Sequence, residues 1–140
     1  MAIAYKWRKV DPTKTYVLRG KMKVLVVDDS NAMRKVVIRS LTACGVTEVS
    51  EASDGIEAIT KYNSDQFDMI ITDWIMPNKD GIEMVKDLRA SGATIPIVMV
   101  TTQSQNVHFD EASAAGVTDY LNKPFTNDVL REKLELYVKN

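Results

Sequence analysis

Met69-Ile-Ile-Thr-Asp73-Trp-Ile-Met-Pro77-Asn-Lys-Asp-Gly81 is the stretch that decides the fold. A short apolar, partly β-branched run is followed by Pro77 and then Asp80-Gly81, breakers that turn the chain at once. The run therefore reads as a buried strand with Asp73 at its carboxyl end. Two other runs stop in the same way: Val24-Leu-Val-Val27 at Asp28-Asp29, and Ile97-Val-Met-Val100 at Thr101-Thr102. In a parallel α/β sheet these ends share one edge, the edge at which such folds place their ligands. Three acids and a hydroxyl gathered there point to a cation and phosphoryl site.

Outward from that stretch, strand and helix patterns alternate from Met22 to the end. Ser30 or Asn31 is placed to cap a helix with Met33, Val36, Val37, Ile38 and Leu41 at helical spacing, closed by Cys44-Gly45. Val46 to Ala52 is a second strand, and Ser53-Asp54-Gly55 turns into a helix carrying Ile56, Ala58, Ile59 and Tyr62. After Asp80-Gly81 a third helix buries Ile82, Met84, Val85 and Leu88 and stops at Ser91-Gly92. Pro96 opens the fourth strand. Ser104 to Ala115 is helical but poor in large apolar groups, which predicts the least firmly held helix. Thr118 to Asn122 is the last strand and leads into Lys123-Pro124-Phe125; Thr126 or Asn127 caps a final helix with Val129, Leu130, Leu134, Leu136 and Val138. Five strands alternating with five helices give a parallel sheet covered on both faces. Right-handed crossovers then favour a flavodoxin-like (βα)5 three-layer sandwich with strand order 2-1-3-4-5.

This regular part, 22–140, is one domain. Residues 1–21 share no pattern with it and read as an extension, flexible or artificially added, with a turn at Asp11-Pro12-Thr13 and a short strand at Tyr16-Val17-Leu18. The sharper reading is a basic arm with Trp7 set among Lys6, Arg8 and Lys9. Residues 1–23 hold seven cations against Asp11, a net +6, which leaves -7 for the rest of a chain whose total is -1. An acidic body argues against nucleic acid as a partner. No apolar run approaches the ~20 residues needed to cross a bilayer, so neither a membrane span nor a secretory signal is expected, and the cytoplasm is the expected compartment. The lone cysteine, Cys44, excludes an internal disulfide and falls in an apolar helical pattern as an inert core thiol.

Carboxylates crowded at a strand end repel one another unless something positive is supplied. Asp28, Asp29 and Asp73 offer oxygen ligands only, with no histidine nearby, which favours Mg2+ over zinc or copper; the bland alternative is that they cap the following helices. Lys123, held extended before Pro124, reaches the same edge if the last strand lies beside the fourth. Its ammonium can then pair with a phosphoryl oxygen while Thr101 donates a hydrogen bond to another. Carboxylate, metal, lysine and hydroxyl are the parts needed for phosphoryl transfer onto aspartate. A permanent Lys123 to Asp73 salt bridge with no chemistry is the alternative.

Four stretches taken together, Lys23-Val-Leu-Val-Val-Asp-Asp-Ser30 with Met33-Arg34, Asp73 to Gly81, Met99-Val-Thr-Thr102 and Asp119-Tyr-Leu-Asn-Lys-Pro-Phe125, resemble the receiver domain of two-component response regulators. The resemblance covers residues 22–140 and is strongest to single-domain chemotaxis regulators. It implies that Asp73 accepts phosphate from a histidine kinase. It also implies that Asp29, Asp73 and the backbone carbonyl of Ile75 bind Mg2+ directly while Asp28 helps through water, and that Thr101 and Lys123 hold the phosphoryl group. Tyr120 would be the aromatic switch, moving inward with Thr101, and the fourth helix, last strand and last helix the output face. The protein would be a monomeric phospho-switch for a downstream protein, a flagellar switch protein among the candidates, without an independent small-molecule substrate.

Some positions depart from the chemotaxis relatives. Ile75 replaces a commonly polar residue, Gln103 a frequent acid, and Asn106 a lysine often used on the flagellar switch, so phosphate lifetime and motor binding do not carry over. His108 reads as a solvated side chain, Trp74 as a partly exposed wall of the site, and Met33, Met69, Met76, Met84 and Met99 as core or core rim. Glu132, Lys133 and Glu135 read as a solvated helix face. One alternative is a receiver domain of a larger regulator, or a phosphorelay intermediate, unconnected to the motor. A phosphatase with an aspartyl-phosphate intermediate would place its nucleophile on the first strand with a second acid two residues on, and a nucleotide-binding module would need a glycine-rich loop there; neither pattern is present.

Overall fold

The computed structural model describes residues 6–9, 16–19, 22–102 and 109–137. Twelve elements follow in order: β1 (Lys6–Lys9), β2 (Tyr16–Arg19), β3 (Lys23–Val27), α1 (Asn31–Ala43), β4 (Glu48–Ala52), α2 (Gly55–Ser64), β5 (Met69–Asp73), α3 (Gly81–Ala90), β6 (Ile97–Thr102), α4 (Phe109–Ala115), β7 (Asp119–Lys123) and α5 (Asn127–Tyr137). β3 to β7 form one parallel sheet in the order β4-β3-β5-β6-β7, which is 2-1-3-4-5 once the two leading strands are set aside. Those two pair with each other, antiparallel, and among the described residues with no other strand. The strand expected at Tyr16 to Leu18 is present; its partner Lys6–Lys9 was not expected, so this part of the extension has regular structure.

Strand residues alternate between the two faces of the sheet. Val24, Val26, Met69, Ile71, Val98, Val100 and Leu121 pack with Val37 and Leu41 of α1 and Leu130 and Leu134 of α5. Leu25, Val27, Ile70, Ile97 and Met99 pack with Ala58 of α2, Met84, Val85 and Leu88 of α3, and Ala112 and Ala115 of α4. Two helices on one face and three on the other leave the carboxyl ends of the strands open as an edge.

The helices start where short polar side chains can satisfy their first N–H groups. Ser30 Oγ accepts from Met33 N at 3.2 Å, Asp54 Oδ1 from Glu57 N at 2.8 Å, Asp80 Oδ1 from Glu83 N at 2.9 Å within a capping box, and Thr126 Oγ1 from Val129 N at 3.2 Å. Several apolar positions assigned to helix cores instead face outward: Val36, Ile56, Val129 and Leu136 are exposed, Ile56 at 53% and Leu136 at 65%. α1 and α5 bury residues four apart, Val37 with Leu41 and Leu130 with Leu134, with Ile38 and Tyr137 packed partly against the same core, and the exposed apolar groups point away from it. α4 is seven residues long and buries only alanines, Ala112 and Ala115, as its composition led one to expect. Ser104, and with it Gln103, Asn106, His108 and Val138, lie outside the described residues.

Candidate functional site

β3, β5, β6 and β7 end at the same edge, and their terminal side chains meet there. Asp28 follows β3; its N–H donates to the Ala52 carbonyl at 3.1 Å and its Oδ1 accepts from Ser30 N at 2.9 Å. Its carbonyl accepts from Arg34 Nη1 at 2.5 Å, and the same guanidinium reaches Glu51 at 3.0 Å, so the turn is tied to β4. Asp73 ends β5, and its Oδ1 accepts from Trp74 N at 2.8 Å. Asp28, Asp29 and Asp73 each bring a carboxylate oxygen within 4.8 Å of the others, Asp29 from an exposed position. Lys123 proves to be the last residue of β7 rather than the residue after it, and its peptide bond to Pro124 is cis. Its Nζ lies 3.7 Å from Asp28 Oδ2 and 3.9 Å from Asp73 Oδ2, with side-chain exposures of 16% for Lys123, 6% for Asp28 and 12% for Asp73.

One ammonium therefore faces two of the three clustered carboxylates, Asp28 and Asp73. Burial raises the pKa of Asp28, against the Ser30 N–H and Lys123. Burial raises that of Asp73 too, with Lys123 opposing it and Asp28 adding to it. A pocket of this kind gains from a hard divalent cation, and its donors fit one. All are oxygens, and a spread of 4.8 Å is close to the ~4.2 Å across an octahedral Mg2+ shell with ligands at about 2.1 Å.

Thr101 sits on β6 one residue beyond the Asp73 to Val100 register pair and is 1% exposed. Its hydroxyl donates to Asn122 Oδ1 at 3.2 Å, so in this state it is engaged with β7. Tyr120, two residues back from Asn122, lies on the same side of β7. Its hydroxyl donates to the Phe109 carbonyl at 3.1 Å, lies 3.3 Å from Ser113 Oγ, and its ring meets Phe109 edge-on at 4.6 Å. Ile75 is 65% exposed beside the site, and Trp74 is half-buried, as expected of a wall. Met69, Met76, Met84 and Met99 are buried and Met33 is partly so. Cys44 is buried, its thiol pushed up to about 11 by burial.

Sequence reasoning used Gly81 as a turn signal but missed the contacts that hold the loop after Asp73. Gly81 N donates to the Trp74 carbonyl at 2.8 Å, and a Cβ on Gly81 would lie 2.4 Å from the Asp73 carbonyl oxygen. Only glycine permits that approach. Asn78 has φ 66°, and its Nδ2 donates to Asp54 Oδ2 at 2.7 Å. The one available signal was an Asn in a Pro-containing loop, a residue tolerant of left-handed backbone; its partner lies 24 residues away.

Comparison with known proteins agrees with this geometry. The response regulator receiver domain family matches residues 24–135. Chemotaxis protein CheY-3 of Vibrio cholerae is 38% identical over 121 residues, 85% of this chain and 93% of that protein. Chemotaxis protein CheY of Pseudomonas aeruginosa is 40% identical over 116 residues, 81% and 94%. The solved structure of chemotaxis protein CheY4 of Vibrio cholerae superposes with a TM-score of 0.77 at 38% identity, over 84% of this chain and 99% of that one. The receiver domain of a Pseudomonas aeruginosa sensor histidine kinase, described with a magnesium ion coordinated in its active-site cleft, gives 0.76 at 27% identity over 85% and 98%. The chain belongs to the response regulator receiver domain family and is homologous to the CheY chemotaxis regulators.

Proposed function

We propose that this protein is a phosphorylation-dependent switch that takes a phosphoryl group from a histidine kinase on Asp73 and changes its binding to a partner protein, in chemotaxis as for its homologues. The observation that carries the reading is Lys123, a half-buried cation 3.7 and 3.9 Å from Asp28 and Asp73 at the edge where β3, β5, β6 and β7 end. Mg2+ would be held by Asp29, Asp73 and the Ile75 carbonyl, with Asp28 bonding through water, and when bound would supply neutralising charge to the carboxylates and the incoming phosphoryl oxygens.

In the transfer, an Asp73 carboxylate oxygen attacks phosphorus, the P–N bond to the kinase histidine breaks, and its electron pair leaves with the imidazole. Lys123 neutralises charge on the phosphoryl oxygens, already standing 3.9 Å from the acceptor. Hydrolysis by water returns the carboxylate and inorganic phosphate; no separate small-molecule substrate enters the scheme.

The switch follows from the bonds of the resting state. For Thr101 to donate to the phosphoryl group its hydroxyl must leave Asn122 Oδ1, and that frees room beside Tyr120 on the same side of β7. Tyr120 then exchanges its bonds to Phe109 and Ser113 for an inward position, and α4 loses its attachment to β7. The face that changes is α4, β7 and α5, where Phe109, Val129 and Leu136 are exposed. It is the docking face for the downstream partner, a flagellar switch protein in the chemotaxis setting, with the protein acting as a monomer. Acetyl phosphate with Mg2+ will change Trp74 emission in a Trp7→Phe background. An unchanged spectrum together with unmodified Asp73 would overturn the reading.

A further inference from the structure

The loop between β5 and α3 is fastened at both ends, and one fastening lies outside the acidic pocket. At its far end, Asn78 Nδ2 donates to Asp54 Oδ2 at 2.7 Å and the Lys79 carbonyl accepts from Gly55 N at 3.0 Å. The two turns approach so closely that a Cβ on Gly55 would lie 2.7 Å from the Lys79 carbonyl oxygen. Asp54 is at the same time the N-cap of α2, its other oxygen accepting from Glu57 N at 2.8 Å. At the near end Gly81 N grips the Trp74 carbonyl at 2.8 Å. Ile75 lies between the grips, on a backbone whose course is set by a residue at φ 66°. The Glu57 N–H and the Asn78 side chain both hold the Asp54 carboxyl below the usual range, as an ionised acceptor shared by two donors requires.

Resting on the phospho-switch reading, we propose that Asp54 and Asn78 are positioning residues for the metal pocket. Their bridge fixes the loop that presents the Ile75 carbonyl and so sets the affinity for Mg2+. Groups that orient the ligands of a metal contribute to its affinity although they never touch it. By reciprocity, Mg2+ tightens the first turn of α2, which begins at Gly55, 18 residues before Asp73 in sequence, and is joined to it through this bridge.

Three substitutions test the bridge, with Mg2+ affinity measured by calorimetry. Asp54→Ser keeps a capping oxygen for Glu57 but is too short for Asn78. Asn78→Gly keeps the positive φ and removes the donor. Asn78→Asp is the same size and adds a negative charge near the pocket; bare electrostatics would then strengthen cation binding, whereas a broken, repelling bridge weakens it. The expected result is Mg2+ binding weakened about three- to tenfold in each, the range of one ordinary net hydrogen bond. The Asp54→Ser, Asn78→Gly double variant should be no weaker than the worse single. At saturating Mg2+, the rate of phosphorylation by acetyl phosphate should return to the wild-type value, which damage to the fold would not allow. Unaltered affinity in Asn78→Gly, tighter binding in Asn78→Asp, multiplicative effects, or a rate that stays low at saturation overturns the inference alone. Wild-type protein that neither binds Mg2+ nor accepts phosphate overturns the functional reading and this inference with it.

Discussion

Replacing Asp73 by asparagine should stabilise the protein when no divalent cation is present. At an effective dielectric of about 20, the 3.9 Å approach of Lys123 to Asp73 is worth about 4 kcal/mol of attraction. Repulsion from Asp28, within 4.8 Å, is about 3.5 kcal/mol on the same scale, and exposed Asp29 adds ~1 kcal/mol in a water-like dielectric. Attraction and repulsion nearly cancel, which leaves the cost of burying the charge, the chief cause of the raised Asp73 pKa. An amide keeps the acceptor for Trp74 N without that charge. The gain should be on the order of 1–2 kcal/mol, or roughly 3–8 °C in melting temperature for a domain of this size. Thermal and urea unfolding of wild type and Asp73→Asn in EDTA, then in Mg2+, measure it. Mg2+ should narrow or reverse the difference, because the wild-type pocket gains more from the ion. A variant less stable than wild type in EDTA would refute the argument that the pocket holds uncompensated buried charge.

Lys123→Met should still bind Mg2+ but take phosphate from acetyl phosphate on the order of 100-fold more slowly, read by intact mass against time. Gly81→Ala drives a Cβ to 2.4 Å from the Asp73 carbonyl and should destabilise by about 2–4 kcal/mol in urea unfolding. Asp119 feels burial raising its pKa, but the bonds from Tyr137 Oη at 2.6 Å, from Tyr120 N and from Lys133 prevail and lower it. Its contribution to stability is therefore present above the ordinary carboxylate value and lost as pH falls below it through the depressed folded value. Asp119→Asn should lose about 1–3 kcal/mol at neutral pH and show a flatter acid limb in a pH series of melts. Tyr120→Phe removes the bonds to Phe109 and Ser113 and should speed amide exchange in α4 while leaving α1 as it was.

The parallel sheet was legible because each strand is a short apolar run stopped by a turn signal, and the acidic trio because strands ending alike in a parallel sheet must share an edge. The helices were legible in place but less so in orientation. Val36, Ile56 and Leu136 look like core in the sequence, yet a helix lying on a sheet buries one narrow line and leaves such residues outside it. Lys6–Lys9 gives no strand signal because three of its four residues are cations; the strand is visible only through its pairing with Tyr16–Arg19. Tertiary contacts at long separation were hidden altogether. The Asp54 to Asn78 bridge, the choice of Asn122 as partner for Thr101, and the Arg89 guanidinium spanning the carbonyls of Ala93, Ile95 and Gly116 depend on where loops meet. Lys123 was expected at Asp73, and its equally short approach to Asp28 emerged only from the packing of β7 against β6.

The most direct test of the central claim is the location of the phosphoryl group. Wild-type protein and Asp73→Asn are incubated with acetyl phosphate and Mg2+, then compared by intact mass and by peptide mapping at low temperature. One added phosphoryl group on the peptide containing Asp73, dependent on Mg2+ and missing from the variant, is the predicted result. Modification at another residue, or none in protein that demonstrably binds Mg2+, would contradict it.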